Sequence, residues 1–421
     1  MFKKLKWRSL LLLALSLVML TGCGGGKSSN DDKEGSGSAD DAFKLTVWVH
    51  PYVAAEAKDA QSKVFEDMAV EFKETYPKAE VVFEEIPWAN REEKMLTALS
   101  TNDGPDVFYL IPDMMTQFAD KGVLAPLDEH LGDDFDYSDF TETSIEAVTY
   151  NDHIYGLPML REVQTMFYNT TILEEIGGDP ENLPTTWAEF NELADKAVEK
   201  GYYARTFEGG NTLNATLYPY IWQAGGDIIG EDEEILINSD ESVKGWEEIM
   251  RQYEAGYFPE DSITAADQAP LFVEGKSLAT FSSAYILNLL KDAGVENYVI
   301  GEPLEGVTFG TTGMFVVSAK SKNVDKASEF VATMTNAENQ RAFNSLTNYI
   351  PSRESAIDIY DGNPDMKQLA EFVGMAKGGV IHPAARVFMA NVQAKVQAMM
   401  EGSLTPKAAA DEAADMIKNE M

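Results

Sequence analysis

Three short segments, His50-Pro51-Tyr52, Pro87-Trp88 and Ile111-Pro112-Asp113, bring an imidazole, two large aromatic rings and a carboxylate to places where a chain can grip a ligand. Rings offer flat apolar faces, and a carboxylate accepts hydrogen bonds. No nucleophile stands beside a base in these segments. The chain has no GxSxG, HExxH or Walker A motif, and "EGKSL" at 274–278 lacks the upstream Gly that a phosphate loop needs. Its one cysteine, Cys23, allows neither an internal disulfide nor a paired thiolate metal site. The chemistry implied is recognition, with no cofactor and no metal.

Each segment follows a strand. "FKLTVWV" (43–49) reads as the first strand, and Ala57 to Tyr76 carries apolar residues at helical spacing up to Pro77. "AEVVFEEI" (79–86) reads as the second strand, Glu92 to Leu99 as a helix, and "GPDVFYL" (104–110) as a turn and third strand. Strand–helix–strand alternation predicts right-handed crossovers and a parallel sheet. Ligands bind outside the carboxyl ends of such strands, where the three segments lie. Farther on, "PTTWAEFNELADKAVEKG" (184–201), "SVKGWEEIMRQYEAGYF" (242–258) and "KASEFVATMTNAENQRAFN" (326–344) read as helices. "TTGMFVVSAKS" (311–321) reads as a strand, and "SSA" (282–284) as a loop leading into Tyr285. The chain end reads as two helices broken at Gly402 to Pro406. Trp48, inside the first strand, reads as core.

The first residues read as an address. Lys3, Lys4, Lys6 and Arg8 precede an apolar run, Ser9 to Leu20, too short for the roughly 20 residues that span a bilayer. Leu20-Thr21-Gly22-Cys23 resembles the bacterial lipobox, in which the cysteine is acylated and becomes the mature N-terminus. Residues 1–22 are therefore expected to be a lipoprotein signal peptide. Residues 23–42, rich in Gly, Ser and Asp, are expected to be a lipid-anchored flexible tether. The protein would sit at the outer face of the cell membrane. Its 70 acidic and 33 basic residues give a net charge of −37, a field that repels nucleic acid. Residues 43–421 are long for one core and suit two lobes.

"GPDVFYLIPD", "YGLPMLREVQTMFYN" and the F-x-x-GK…SSAY run at 272–285 together resemble the maltose/maltodextrin type of extracellular solute-binding protein, family 1, the lipoprotein component of ABC sugar importers. "TWAEF", "WQAGGD" and "AKSKNVDKASEF" fit the same pattern. The resemblance runs from about residue 44 to the chain end. It implies an α/β, two-lobed periplasmic-binding-protein fold of class II type, with the ligand cleft between lobes joined by a multi-crossing hinge. Lobe one would be 43–159 and 314–350, and lobe two 160–313 and 351–421. The crossings would lie near Leu160, Gly313 and Ile350. The implied function is capture of a carbohydrate, maltodextrin-like, by a monomer that delivers it to ABC transporter permease subunits.

By matched position, Asp113 and Glu162 correspond to the family's hydroxyl-binding carboxylates. Asp113 could instead cap a helix, and Glu162 could pair with Arg161. Tyr285 corresponds to a stacking aromatic. Tyr218 matches a further aromatic, with Trp222 one turn later; one would face the cleft and the other the core. Trp88 and Tyr52 rest on their strand-end position, and His50 falls where the family often has a polar binder. Arg353 and Arg386 complete the candidates. The chain departs from the family where Leu110 and Met114 replace a Trp and an Arg, and in "HPAARVFMAN", where Phe388 or Met389 would stand in for an aromatic. Competing readings are a non-sugar solute such as a polyamine, metal chelate or phosphate ester, a glycan-active enzyme with paired carboxylates, and an adhesin.

Overall fold

The structure is a computed structural model and describes residues 41–88, 91–101, 104–132, 134–230 and 232–421. Cys23, the leader and residues 23–40 of the expected tether lie outside the described residues. Among the described residues twelve strands occur in chain order: β1 Phe43–Val49, β2 Ala79–Glu85, β3 Val107–Leu110, β4 Thr149–Tyr150, β5 His153–Ile154, β6 Gly156–Val163, β7 Thr165–Asn169, β8 Tyr203–Arg205, β9 Ser277–Ser282, β10 Tyr298–Ile300, β11 Thr308–Val317 and β12 Ala376–Lys377.

β1 pairs in parallel with β2 and β3, as the alternation of strands and helices predicts. The helix Lys58–Thr75 makes the first crossover and Arg91–Ser100 the second. Strand alternation sends Leu45, Val47 and Val49 to one face, against Phe65, Met68 and Phe72 of the first helix. It sends Trp48 to the other face, with Phe108, Leu110 and Phe118, and Trp48 donates to Glu84 at 3.0 Å. Both faces of this sheet are therefore covered.

A second sheet runs β10-β7-β9-β8. Phe167 of β7 faces a core with Phe272, Ile286 and Leu369, and Tyr168 faces the opposite core with Phe190, Trp246 and Phe388. Two helices meet closely here: a Cβ on Gly245 would lie 2.7 Å from the Tyr220 carbonyl oxygen, so only glycine fits.

β6 and β11 form the long antiparallel ladder of the first sheet, and β6 leads through Gln164 into β7 of the second. Leu160 lies opposite Gly313, where the ladder has a bulge, and Arg161 bridges to Ile350. The three positions read as crossings are thus neighbours in space.

Two segments differ from the sequence reading. The 326–344 helix is two helices, Val324–Met334 and Ala337–Thr347, because Asn336 caps the second by accepting from the Asn339 N–H at 2.9 Å. Tyr285 is not in a loop. It is the first residue of the helix Tyr285–Ala293, which has one strongly apolar face and ends at Gly294 in the left-handed conformation. Among the described residues, no helix is long and apolar enough to cross a membrane.

Candidate functional site

Glu162 sits on β6 opposite Thr311 of β11. Successive strand residues point to opposite faces, so it cannot follow its neighbour. Arg161 donates to the Pro351 carbonyl at 3.0 Å and to Thr141 at 3.3 Å, and no ion pair joins it to Glu162. Glu162 is half-buried and lies where three cavities meet, of about 640, 520 and 450 Å³. Burial pushes its carboxyl above the usual range, and hydrogen bonds from Gln164 and Ser283 oppose the shift only in part.

The 520 Å³ cavity has aromatic walls. Tyr52, Trp88, Tyr285 and Tyr349 line it together with Glu162. Tyr285 is 64% exposed and also lines the 450 Å³ cavity. Trp88 is fixed in orientation: its Nε1 donates to the Pro51 carbonyl at 2.9 Å, and its ring stacks on His50 at 4.0 Å. Tyr52 is buried, with Trp88, Tyr109 and Phe343 edge-on around it. Its hydroxyl has no partner, and burial holds it well above the usual phenol range. Rings on several sides of a carboxylate give apolar faces and a hydrogen-bond acceptor within one space.

Asp113 belongs to a different arrangement. Ile111, not Asp113, is the N-cap of the helix Pro112–Asp120. The Asp113 side chain is 1% exposed and reaches none of these cavities. Its Oδ2 accepts from Arg386 Nη1 at 3.3 Å and from Asn214 Nδ2 at 3.5 Å, and its Oδ1 has no partner. Burial raises its pKa, and the Arg386 charge opposes the rise. Arg386 also donates to Glu92 and lines an 830 Å³ cavity with Trp88, Arg91 and Asn211.

Residues 67–373 match the family of bacterial extracellular solute-binding proteins. The chain belongs to that family. It is 26% identical to the galactooligosaccharide-binding protein of Bacillus subtilis (strain 168) over 437 aligned positions, covering 98% of this chain and 96% of the relative. It is 25% identical to a diacetylchitobiose-binding protein of Streptomyces coelicolor (strain A3(2)/M145) over 377, covering 86% and 85%. Among solved structures, an ABC substrate-binding protein of Listeria monocytogenes in complex with cycloalternan superposes with a TM-score of 0.78 at 20% identity, covering 90% of this chain and 99% of that one. The fold is the α/β periplasmic-binding-protein fold shared with maltose-binding proteins.

In this solute-binding protein three more sequence candidates, besides Asp113, stand outside the cavities. His50 is fully buried. Its Nδ1 lies 2.9 Å from the Ile86 carbonyl, so Nδ1 carries the proton and Nε2 is bare and unpartnered. Burial lowers its pKa to about 4, and the neutral ring acts as a platform under Trp88. Arg353 is also buried. It donates to the Thr335 carbonyl at 2.7 Å, pairs with Asp139 at 3.3 Å and lies 3.9 Å over Phe140. Those bonds tie loops together, and the side chain lines none of the cavities described. Tyr218 is fully buried in the core, so it is Trp222 that lines a cavity, donating to Asp227 at 3.1 Å. Phe388 and Met389, read as stand-ins for an aromatic, are buried in the same core.

Sequence reasoning missed Tyr349, Arg91, Asn211 and Arg205, all cavity-lining. Arg205 ends strand β8, so the strand-end rule applied to the second sheet would have found it. Among the described residues, no cluster of His, Cys, Asp and Glu could hold a metal.

Proposed function

We propose that this solute-binding protein captures an extracellular oligosaccharide and delivers it to the permease of an ABC transporter. The observation that carries the reading is Glu162, a half-buried carboxylate at the junction of three cavities, with Trp88 and Tyr285 on the walls. A sugar presents hydroxyls to such a carboxylate and C–H faces to such rings. The relatives bind sugars of different linkage by name, which supports the class more than the maltodextrin-like member of it.

The ladder of β6 and β11 supports a hinge. With Leu160, Gly313 and Ile350 side by side, the chain would cross there between lobe one (43–159, 314–350) and lobe two (160–313, 351–421). Acylation of Cys23 would hold the protein at the outer face of the membrane, as a monomer beside its permease.

The test is thermal unfolding with a panel of maltodextrins, galactooligosaccharides and chitooligosaccharides, with polyamines and phosphate esters as rivals. Ligand at 100 times its Kd adds about 2.7 kcal/mol of stability. A shift with one sugar series, lost in Tyr285→Ala and Glu162→Ala, supports the proposal. A shift only with a polyamine or phosphate ester overturns it, and release of shorter sugars on incubation would favour an enzyme.

A further inference from the structure

The cavity of about 830 Å³ takes no part in the reading above. Alone it has the size of a pocket for a whole drug-sized ligand. Shared walls join it to the other cavities. Trp88 also lines the 520 Å³ cavity, Thr311 the 640 Å³ cavity and Asn211 the 450 Å³ cavity. Thr311 is the residue opposite Glu162 in the ladder of β6 and β11. Side chains of directly opposed residues lie on one face of a sheet, and neighbouring strands are about 4.8 Å apart. The step from Glu162 to the wall of the 830 Å³ cavity is therefore close to the length of one pyranose unit.

The wall has the chemistry of a sugar site. Trp88 keeps 38% of its surface exposed and gives the wall its aromatic ring. The Arg91 guanidinium carbon lies 4.9 Å from the centre of that ring. Among the described residues Arg91 makes no hydrogen bond and no ion pair, so its donors are unspent. Arg386 differs, because Glu92 and Asp113 share its charge. Two arginines, Arg91 and Arg386, and two glutamates, Glu92 and Glu93, line the cavity, so their formal charges cancel. A ring with donors and acceptors around it, and no net charge, suits a neutral polyhydroxylated ligand better than an oxyanion or a polyamine.

We propose that the 830 Å³ cavity is a second sugar-binding compartment, and that the captured solute is a neutral chain long enough to fill it and the aromatic cavity together. This rests on the sugar-capture reading above and deepens it by chain length. A pocket of several hundred Å³ takes roughly two pyranose units, so the ligand has roughly four units or more. Trp88 stands between the two compartments, and the Arg91 donors meet hydroxyls of the outer units. A disaccharide held at Glu162 would leave those donors in water and gain nothing from them.

The experiment is isothermal titration of the full-length protein with maltodextrins, galactooligosaccharides and chitooligosaccharides of graded length. The expected result is one series in which a five-unit sugar binds at least about ten-fold tighter than the two-unit sugar. Thr97 is exposed on the helix Arg91–Ser100 and lines the 830 Å³ cavity but none of the cavities that meet at Glu162. In Thr97→Trp the added bulk narrows that compartment, so the ratio should fall to about one with two-unit affinity kept. A wild-type ratio of about one, a ratio that survives the substitution, or equal weakening of both lengths overturns the proposal and leaves sugar capture standing. Binding of no sugar of any series overturns both. Should Thr97→Trp fail to fold, Thr212→Trp carries the same test, since Thr212 is exposed and lines the same cavity.

Discussion

Arg386 Nη1 lies 3.3 Å from Asp113 Oδ2, and the two residues are 273 positions apart in the chain. Asp113 stands on a helix against the first sheet, and Arg386 on the helix Ala385–Met400 in the core of the second. Arg386 holds Glu92 at the same time, at 3.1 Å. One guanidinium thus ties two carboxylates of the first sheet's helices to the other half of the molecule.

Removing that cation leaves Asp113 buried and unpaired. Arg386→Met is therefore expected to cost about 3 kcal/mol at pH 7. Asp113 already has a raised pKa, so protonation relieves the penalty, and the loss shrinks as pH falls. Asp113→Asn in the Arg386→Met background restores part of the stability. Urea unfolding of the four proteins gives the coupling. Additivity to within about 0.5 kcal/mol would show that the pair does not couple the two halves.

Glu162 carries a pH signature in binding. Its carboxyl is held above the usual range by burial, so it takes up a proton in mild acid, where ordinary carboxylates stay ionised. A protonated carboxyl loses acceptor capacity for hydroxyls. Affinity for the bound sugar should weaken as pH falls, beginning at a higher pH than an ordinary carboxylate would require. Glu162→Gln should bind about ten-fold more weakly at pH 7 and show a flat profile. Titration calorimetry at a series of pH values checks it; the same slope in the Gln variant would assign the pH dependence to another group.

The two tyrosines separate binding from stability. Tyr285 is 64% exposed, so Tyr285→Ala should alter stability by less than about 0.5 kcal/mol. It should weaken sugar binding about ten-fold through lost stacking. Tyr218 is fully buried, and Tyr218→Ala should cost about 3–5 kcal/mol. Thermal unfolding beside calorimetry checks both. A Tyr285→Ala protein that binds normally would remove this ring from the site.

These contrasts mark how far the sequence could be read. The parallel run β2-β1-β3 is legible because each strand is a compact apolar stretch followed by a helix-period segment. Strand-end logic then places Tyr52 and Trp88 on the cavity. It does not separate them from His50, because the bond to Ile86 that turns this ring inward joins residues 36 apart. Asp113 is legible as a residue past a strand end, but its occupation by Arg386 is a tertiary fact. Tyr218 and Trp222 share one helix, and only packing decides which is core.

His50 makes the last prediction. The folded protein holds its ring neutral down to about pH 4, whereas an unfolded His accepts a proton near 6.5. Between those values the unfolded chain binds a proton that the native state refuses. Stability from this residue is present above about pH 6.5 and is lost as pH falls toward 4. At pH 4.5 the loss is about 2.5 kcal/mol. In His50→Phe the ring over which Trp88 stacks is kept, but the titrating nitrogen is gone. That variant should be less stable at pH 7, because the Ile86 carbonyl loses its donor. Its further loss on moving to pH 4.5 should be smaller than wild type's by about 2.5 kcal/mol. Urea unfolding of both proteins at the two pH values measures this. Equal losses would mean that His50 is already protonated in the native protein, with Nε2 paired.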